Sequence, residues 1–316
     1  MWSDNLKLRE KIYTLPNIKY GVEIEFVGAK REKVAKDLHQ AYVDSKILKP
    51  WKVEIETSLM AQNSTKSPDY NGEAISSILT DESKDWHNIE YTCQNIKQNN
   101  GYINNHCGAH VHVGADIFED NLKYYSRLIK LWTIFEDIIV KFGYGEFTTK
   151  RANFDYYAKS SYDLYSLIEN FYKNDKQLKA FDTFIKVYAS RKYTALSLRR
   201  LDLNYLKQIY SKFEPNLEQY KTIEFRVGAG TLSPAILQNY TNFYTKLMLC
   251  CLDDSKDWDF VDKLYYYYNN GREKVKNLLT PELLCDFVFD KELDKNYFLT
   301  QFYKKDYCQN SKTLKH

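Results

Sequence analysis

Several stretches of this chain alternate apolar and polar residues so regularly that each predicts a β-strand with two chemically different faces. Over 19–27, Val22, Ile24 and Phe26 share one face and Glu23 and Glu25 the other, because side chains at i and i+2 of a strand point the same way. GAHVHVG repeats the pattern with His110 and His112, and KTIEFRVG, from Lys221, repeats it with Glu224 and Arg226. WKVEIETSL from Trp51, GEAISSIL from Gly72 and YTALSLRRL from Tyr193 read as further strands.

Between these runs the apolar spacing changes to that of a helix. REKVAKDLHQAYVDS from Arg31, then 85–99, 116–142, 144–192 and 234–252 read as helical, the last with Pro234 in its first turn. More helices are expected after residue 253. The stretch 61–71 is polar and reads as a loop, and Asn99, Asn100 and Gly101 mark a turn. This order is not the regular alternation of a doubly wound fold. It predicts an α+β architecture, an antiparallel sheet with helices packed on one face and an open face left for a site. No repeat or long linker divides the chain, so one catalytic domain over 1–316 is expected, with a helical extension over 253–316.

Composition changes this picture little. The 316 residues are 44% hydrophobic with a net charge of +3, a near balance that gives no argument for nucleic-acid binding. Mean hydropathy is −0.58, and no apolar run of about 18 residues suggests a membrane span. The N-terminus is charged and lacks the apolar core of a signal peptide. The six cysteines are scattered with no CxxC pair, so neither a disulfide framework nor a zinc site is expected, and the location expected is cytoplasmic. The 28 tyrosines are spread along the chain, which fits compositional drift as well as a surface that stacks sugars or bases.

The polar faces carry the candidate chemistry. Glu23 and Glu25 alone could be the solvated side of an amphipathic strand, but adjacent carboxylates repel unless a cation lies between them, and Mg²⁺ or Mn²⁺ suits oxygen ligands. His110 and His112 stand between Gly108 and Gly114, where another backbone or a ligand can approach closely. Glu224 and Arg226 could be a surface ion pair, yet the glycines that follow permit close approach, and a guanidinium fork suits phosphate or carboxylate. Glu73 is a fourth carboxylate, Glu56 a weaker fifth, and His106 a nearby loop imidazole with a structural reading as good as a functional one. Arg151, Arg191, Arg199 and Arg200 are candidates for phosphate contact. Walker A, GxGxxG, GxSxG and HExxH patterns are absent, so ATP use would need a site without a P-loop.

Taken in order, GVEIEF, WKVEIETSL, GEAISSIL, GAHVHVG and TIEFRVGAGTL resemble the amidoligase family, a branch of the carboxylate–amine ligases related to glutamine synthetase and glutamate–cysteine ligase. The resemblance runs over about 20–250. It implies a glutamine-synthetase-like sheet and an ATP-dependent ligase that joins small-molecule or peptide carboxylates and amines through an acyl phosphate. It further implies that Glu23, Glu25, Glu73, His110 and Glu224 hold Mg²⁺ or Mn²⁺. His112, with Arg199 and Arg200, is assigned to the nucleotide, and Glu224 and Arg226 to catalysis. Relatives commonly carry Asp where this chain has Glu56, which puts that residue's role in question. Two other readings use the same inventory: a metal-dependent hydrolase, and a non-enzymatic protein that binds peptide or glycan.

Overall fold

The architecture was obtained as a computed structural model, which describes residues 6–16, 18–45, 48–61, 67–160, 193–210 and 220–304. Arg191 and the greater part of the helical expectation over 144–192 lie outside these residues, as does 305–316.

The elements run β1 (Tyr20–Val27), α1 (Arg31–Ser45), β2 (Trp51–Glu54), α2 (Thr57–Ala61), β3 (Asn71–Ser76), α3 (Ser83–Gln98), β4 (Gly108–Gly114), α4 (Leu122–Phe142), α5 (Phe154–Tyr157), β5 (Leu196–Ser197), α6 (Leu203–Tyr210), β6 (Thr222–Ala229), α7 (Pro234–Leu252), α8 (Trp258–Val275), α9 (Pro281–Val288) and α10 (Glu292–Phe302). Six strands form one sheet in the order β2-β3-β1-β4-β6-β5, and every neighbouring pair is antiparallel. The mixed α/β architecture with an open antiparallel sheet therefore stands.

Several expected elements are shorter or broken. The strand from Trp51 ends at Glu54, because Glu56 turns the chain: its Oε1 accepts the Ser58 N–H at 2.7 Å as α2 begins. The 116–142 helix is interrupted at Glu119 and Asp120, both with left-handed φ. α4 restarts where Asn121 caps the Lys123 N–H at 3.0 Å. The strand from Tyr193 keeps only two sheet residues before a 3₁₀ turn at Arg199–Leu201. The strand from Gly72 ends at Ser76.

One sheet face is apolar. Val22, Ile24, Phe26, Val111, Val113, Ile223 and Phe225 are wholly buried against α3, α4 and α7. Phe225 stacks flat on Tyr244 of α7, with centroids 4.4 Å apart. α8, α9 and α10 extend this core: Phe298 stacks on Phe142 at 4.3 Å. The N-terminal arm is pinned to the same helices, since Arg9 donates to Asp294 at 2.6 Å and its N–H donates to Gln238 at 2.7 Å. No described helix is long and apolar enough to cross a membrane.

Candidate active site

On the opposite face, strand register decides which polar side chains meet. Across β2, β3 and β1, Glu54 pairs with Glu73 and Glu73 with Glu25. One step along, Glu23 lies opposite His110, and beyond it His112 lies opposite Glu224. Directly opposed like charges destabilise a sheet, so the row Glu54–Glu73–Glu25 marks a place where something other than strand pairing selects the residues.

β6 carries a bulge that re-aims its end. Ala109 pairs with Gly228 and Val111 with Phe225, so His110 alone spans Arg226 and Val227. The bulge needs a glycine, because a Cβ at Gly228 would stand 2.5 Å from the Ala109 carbonyl oxygen.

The expectation of an open, solvated face is corrected. Glu23, Glu25, His110, His112 and Glu224 are all under 9% exposed. The segment after α4 and the residues leading into β5 flank them, and Arg151, Tyr156, Tyr157 and Tyr193 from these stretches line the site. Residues 151–160 and 193–197 are tied by Lys159 and Ala195 through backbone bonds of 2.8 Å, and Ala195 in turn accepts the Arg226 N–H at 2.9 Å. What remains is a cavity of about 630 Å³, lined by Glu23, Glu25, Glu54, Glu56, Glu73, His110, Arg151, Arg199, Arg200, Glu224 and Arg226, with Tyr156, Tyr157, Tyr193 and Tyr205. His112 does not line it. It faces a smaller adjoining cleft of about 140 Å³, whose wall shares Glu23 and Arg200.

Glu23 is the hub of the cluster. His110 Nδ1 lies 3.1 Å from its Oε2, His112 Nε2 2.8 Å from its Oε1, and Arg200 Nη2 3.2 Å from the same Oε1. Glu25 is held differently: its Oε2 accepts the Gly108 N–H at 2.6 Å, while His110 Nε2 stands 3.8 Å from its Oε1. Arg226 is paired to Glu224 through Nη1.

Burial and charge divide these carboxyls. Burial pushes Glu23 up, but His112 and His110 more than reverse this and hold it well below the ordinary carboxylate range. Glu224 also resists burial, because Arg226 and His112 bring it down to about 2. For Glu73 the balance goes the other way: burial and the charges of Glu23, Glu25 and Glu56 outweigh Arg226 and raise it well above the usual value. A divalent cation there would offset the crowded like charges around Glu73.

Among the described residues, three sets of ligand atoms come within 4.8 Å of one another: Glu23, Glu73 and His110; Glu23, His112 and Glu224; Glu25, Glu56 and Glu73. Glu23 and Glu73 each serve two sets, so the sets are contiguous. The cavity wall carries six carboxylates against four guanidiniums, and this excess of negative charge together with the oxygen-rich donors suits hard divalent ions.

Of the residues singled out by sequence, Glu23, Glu25, Glu73, His110, Arg151, Arg199, Arg200, Glu224 and Arg226 meet in one cavity. Arg199 stacks its guanidinium over Tyr205 at 4.0 Å. Glu56, in question because of its extra methylene, joins Glu25 and Glu73 in a donor set. Sequence reasoning missed Glu54, whose position becomes meaningful only through the β2–β3 register. It also missed the packed trio Tyr156, Tyr157 and Tyr193, whose centroids lie 4.8–5.7 Å apart.

Residues 16–248 match the family described as "putative amidoligase enzyme". The chain belongs to the amidoligase family. The matched span contains every strand of the sheet and every side chain named above in the cavity. Among curated proteins no match to the chain is found. Family membership makes this chain an enzyme, a ligase of amide-bond formation by family.

One consequence of the amidoligase site geometry is local. A Cβ at Gly108 would stand 2.3 Å from Arg151 Nη1 and 3.1 Å from Glu25 Oε1. Gly108→Ala is therefore expected to cost about 1–3 kcal/mol by overpacking, read by urea denaturation. An unchanged midpoint would show that the guanidinium moves aside freely.

Proposed function

We propose that this protein is an ATP-dependent carboxylate–amine ligase that forms an amide through an acyl phosphate. The observation that carries the reading is the contiguity of the three donor sets through Glu23 and Glu73. Glu23 and Glu73, each shared between two sets, would hold divalent ions whose charge would offset that of a polyphosphate and its transferred phosphoryl group. Mg²⁺ or Mn²⁺ would be held by Glu23, Glu25, Glu73, His110 and Glu224, with Glu56 completing the third set.

The chain's own groups supply the rest. Arg226 faces the cavity beside Glu224 and offsets charge that grows on the phosphoryl oxygens. Arg200, and Arg199 braced on Tyr205, contact nucleotide phosphates. His112 fixes Glu23 from the side of the smaller cleft. The substrate carboxylate takes the γ-phosphoryl group and ADP leaves; the amine then attacks the acyl carbon and expels phosphate.

The test is ADP release with Mg²⁺ or Mn²⁺ across pairs of carboxylates and amines, with hydroxylamine as a substitute amine that traps an acyl phosphate as a hydroxamate. Metal-dependent ADP release accompanied by hydroxamate is expected. Amide hydrolysis that needs metal but no nucleotide, and that zinc supports, would replace this reading with a hydrolase using the same cluster.

A further inference from the structure

Arg151 is the buried cation of the cavity that the reading above does not use. It lies on the irregular segment after α4, anchored where the Ala152 N–H donates to the Asn105 carbonyl at 2.7 Å. It is only 5% exposed, yet its guanidinium is poorly satisfied. Nε is buried with no partner among the described residues. Nη2 reaches the Arg226 carbonyl at 3.3 Å, and Nη1 lies 3.9 Å from Glu25 Oε2, outside hydrogen-bond range. That Glu25 oxygen already accepts the Gly108 N–H.

A buried guanidinium without full pairing is costly, so its position calls for a partner. The absence of a side chain at Gly108 leaves room for this group: a Cβ there would stand 2.3 Å from Nη1. The same guanidinium lines the main cavity together with Arg226. Arg presents a planar fork matched to two-oxygen anions. Glu25 offers it charge at 3.9 Å but no hydrogen bond.

We propose that Arg151 is an oxyanion-binding residue of this cavity, receiving a carboxylate or phosphoryl group against the Gly108 end of the sheet face. The anion site stands on the geometry of Arg151 alone. Its assignment to the carboxylate substrate or to the transferred phosphoryl group rests on the ligase reading. Both sources offer the same paired oxygens, so the experiment must separate them.

Isothermal titration calorimetry of wild type, Arg151→Met and Arg151→Lys distinguishes the cases. The probes are inorganic phosphate, glutarate, and an imido analogue of ATP with Mg²⁺. If Arg151 takes a phosphoryl group, phosphate and the ATP analogue bind roughly ten- to a hundredfold more weakly in Arg151→Met, while glutarate is unaffected. If it takes the carboxylate substrate, glutarate loses that affinity and the analogue does not. Arg151→Lys keeps the charge but not the fork, and an intermediate loss is expected; it also serves as the test should Arg151→Met fail to fold. Wild type binding neither phosphate nor glutarate, or both substitutions leaving both affinities within about twofold of wild type, would overturn the proposal. A wild type that ignores the ATP analogue but binds either anion through Arg151 would remove the ligase reading and leave the anion site in place.

Discussion

Glu23→Gln is expected to lower metal- and ATP-dependent turnover by roughly a hundred- to a thousandfold, the usual cost of removing one preorganised charge-stabilising group at such a centre. The reason is its place in the network. Glu23 belongs to two of the three donor sets and faces His110, His112 and Arg200 within 3.2 Å. The amide is nearly isosteric but carries no charge, so it weakens both ion positions at once. A second effect follows without metal. In the presence of a chelator the substitution leaves His112 Nε2 and Arg200 Nη2 facing a neutral group, and a loss of about 1–3 kcal/mol in folding stability is expected. The stabilisation that Mn²⁺ gives wild type on thermal unfolding should shrink sharply in the variant. Wild-type turnover together with an undiminished Mn²⁺ response would remove Glu23 from the centre.

Arg226→Met is expected to destabilise the metal-free protein by about 3–5 kcal/mol, because it removes the main counter-charge of a buried Glu224. Glu224 is buried, and Arg226 is the largest influence holding its carboxyl down to about 2 against burial. The sign with pH is definite. A carboxyl whose folded value is depressed from 4.5 to about 2 contributes stability that is complete above pH 4.5 and lost as pH falls toward about 2. Wild type should therefore lose this contribution on acidification through that window. Arg226→Met should lack most of it already at neutral pH and show a flatter acid limb. The double substitution Glu224→Gln with Arg226→Met should recover much of the loss, since it removes the buried charge. Urea denaturation in chelator from pH 7 to pH 3 measures all of this. A single variant as stable as wild type, with an unchanged acid limb, would show that the pair is not coupled.

The strand pattern made most of the sheet readable. Val22, Ile24 and Phe26 against Glu23 and Glu25 follow from period two, and β1, β4 and β6 appear where the alternation predicts them. The helix from Arg31 and the helix from Pro234 begin and end as their spacing and the N-terminal proline imply. What the pattern could not supply was the end of each strand from Trp51 and Tyr193. There, Glu56 and the 3₁₀ turn at Arg199–Leu201 stop the strand by local hydrogen bonding rather than by any change in hydrophobicity. The break at Glu119 and Asp120 escaped for a similar reason, since polar residues inside a helical stripe do not announce a left-handed backbone.

By itself, then, the sequence determined which side chains share a face within each strand, because that depends only on the two-residue repeat of the backbone. It also carried the family motifs in order. Which strands lie side by side, and in what register, depends on contacts between segments far apart in the chain. Only the tertiary structure could put Glu54, Glu73 and Glu25 in one row, set His112 against Glu224, and turn His112 toward a separate cleft. The same holds for Arg151: an irregular segment has no period to read, and its guanidinium is placed by the space above Gly108, which exists only once the sheet has formed. The change of that face from solvated to buried has the same origin, since residues 151–160 and 193–195 are held beside it through backbone bonds to each other and to β6 that no local pattern encodes.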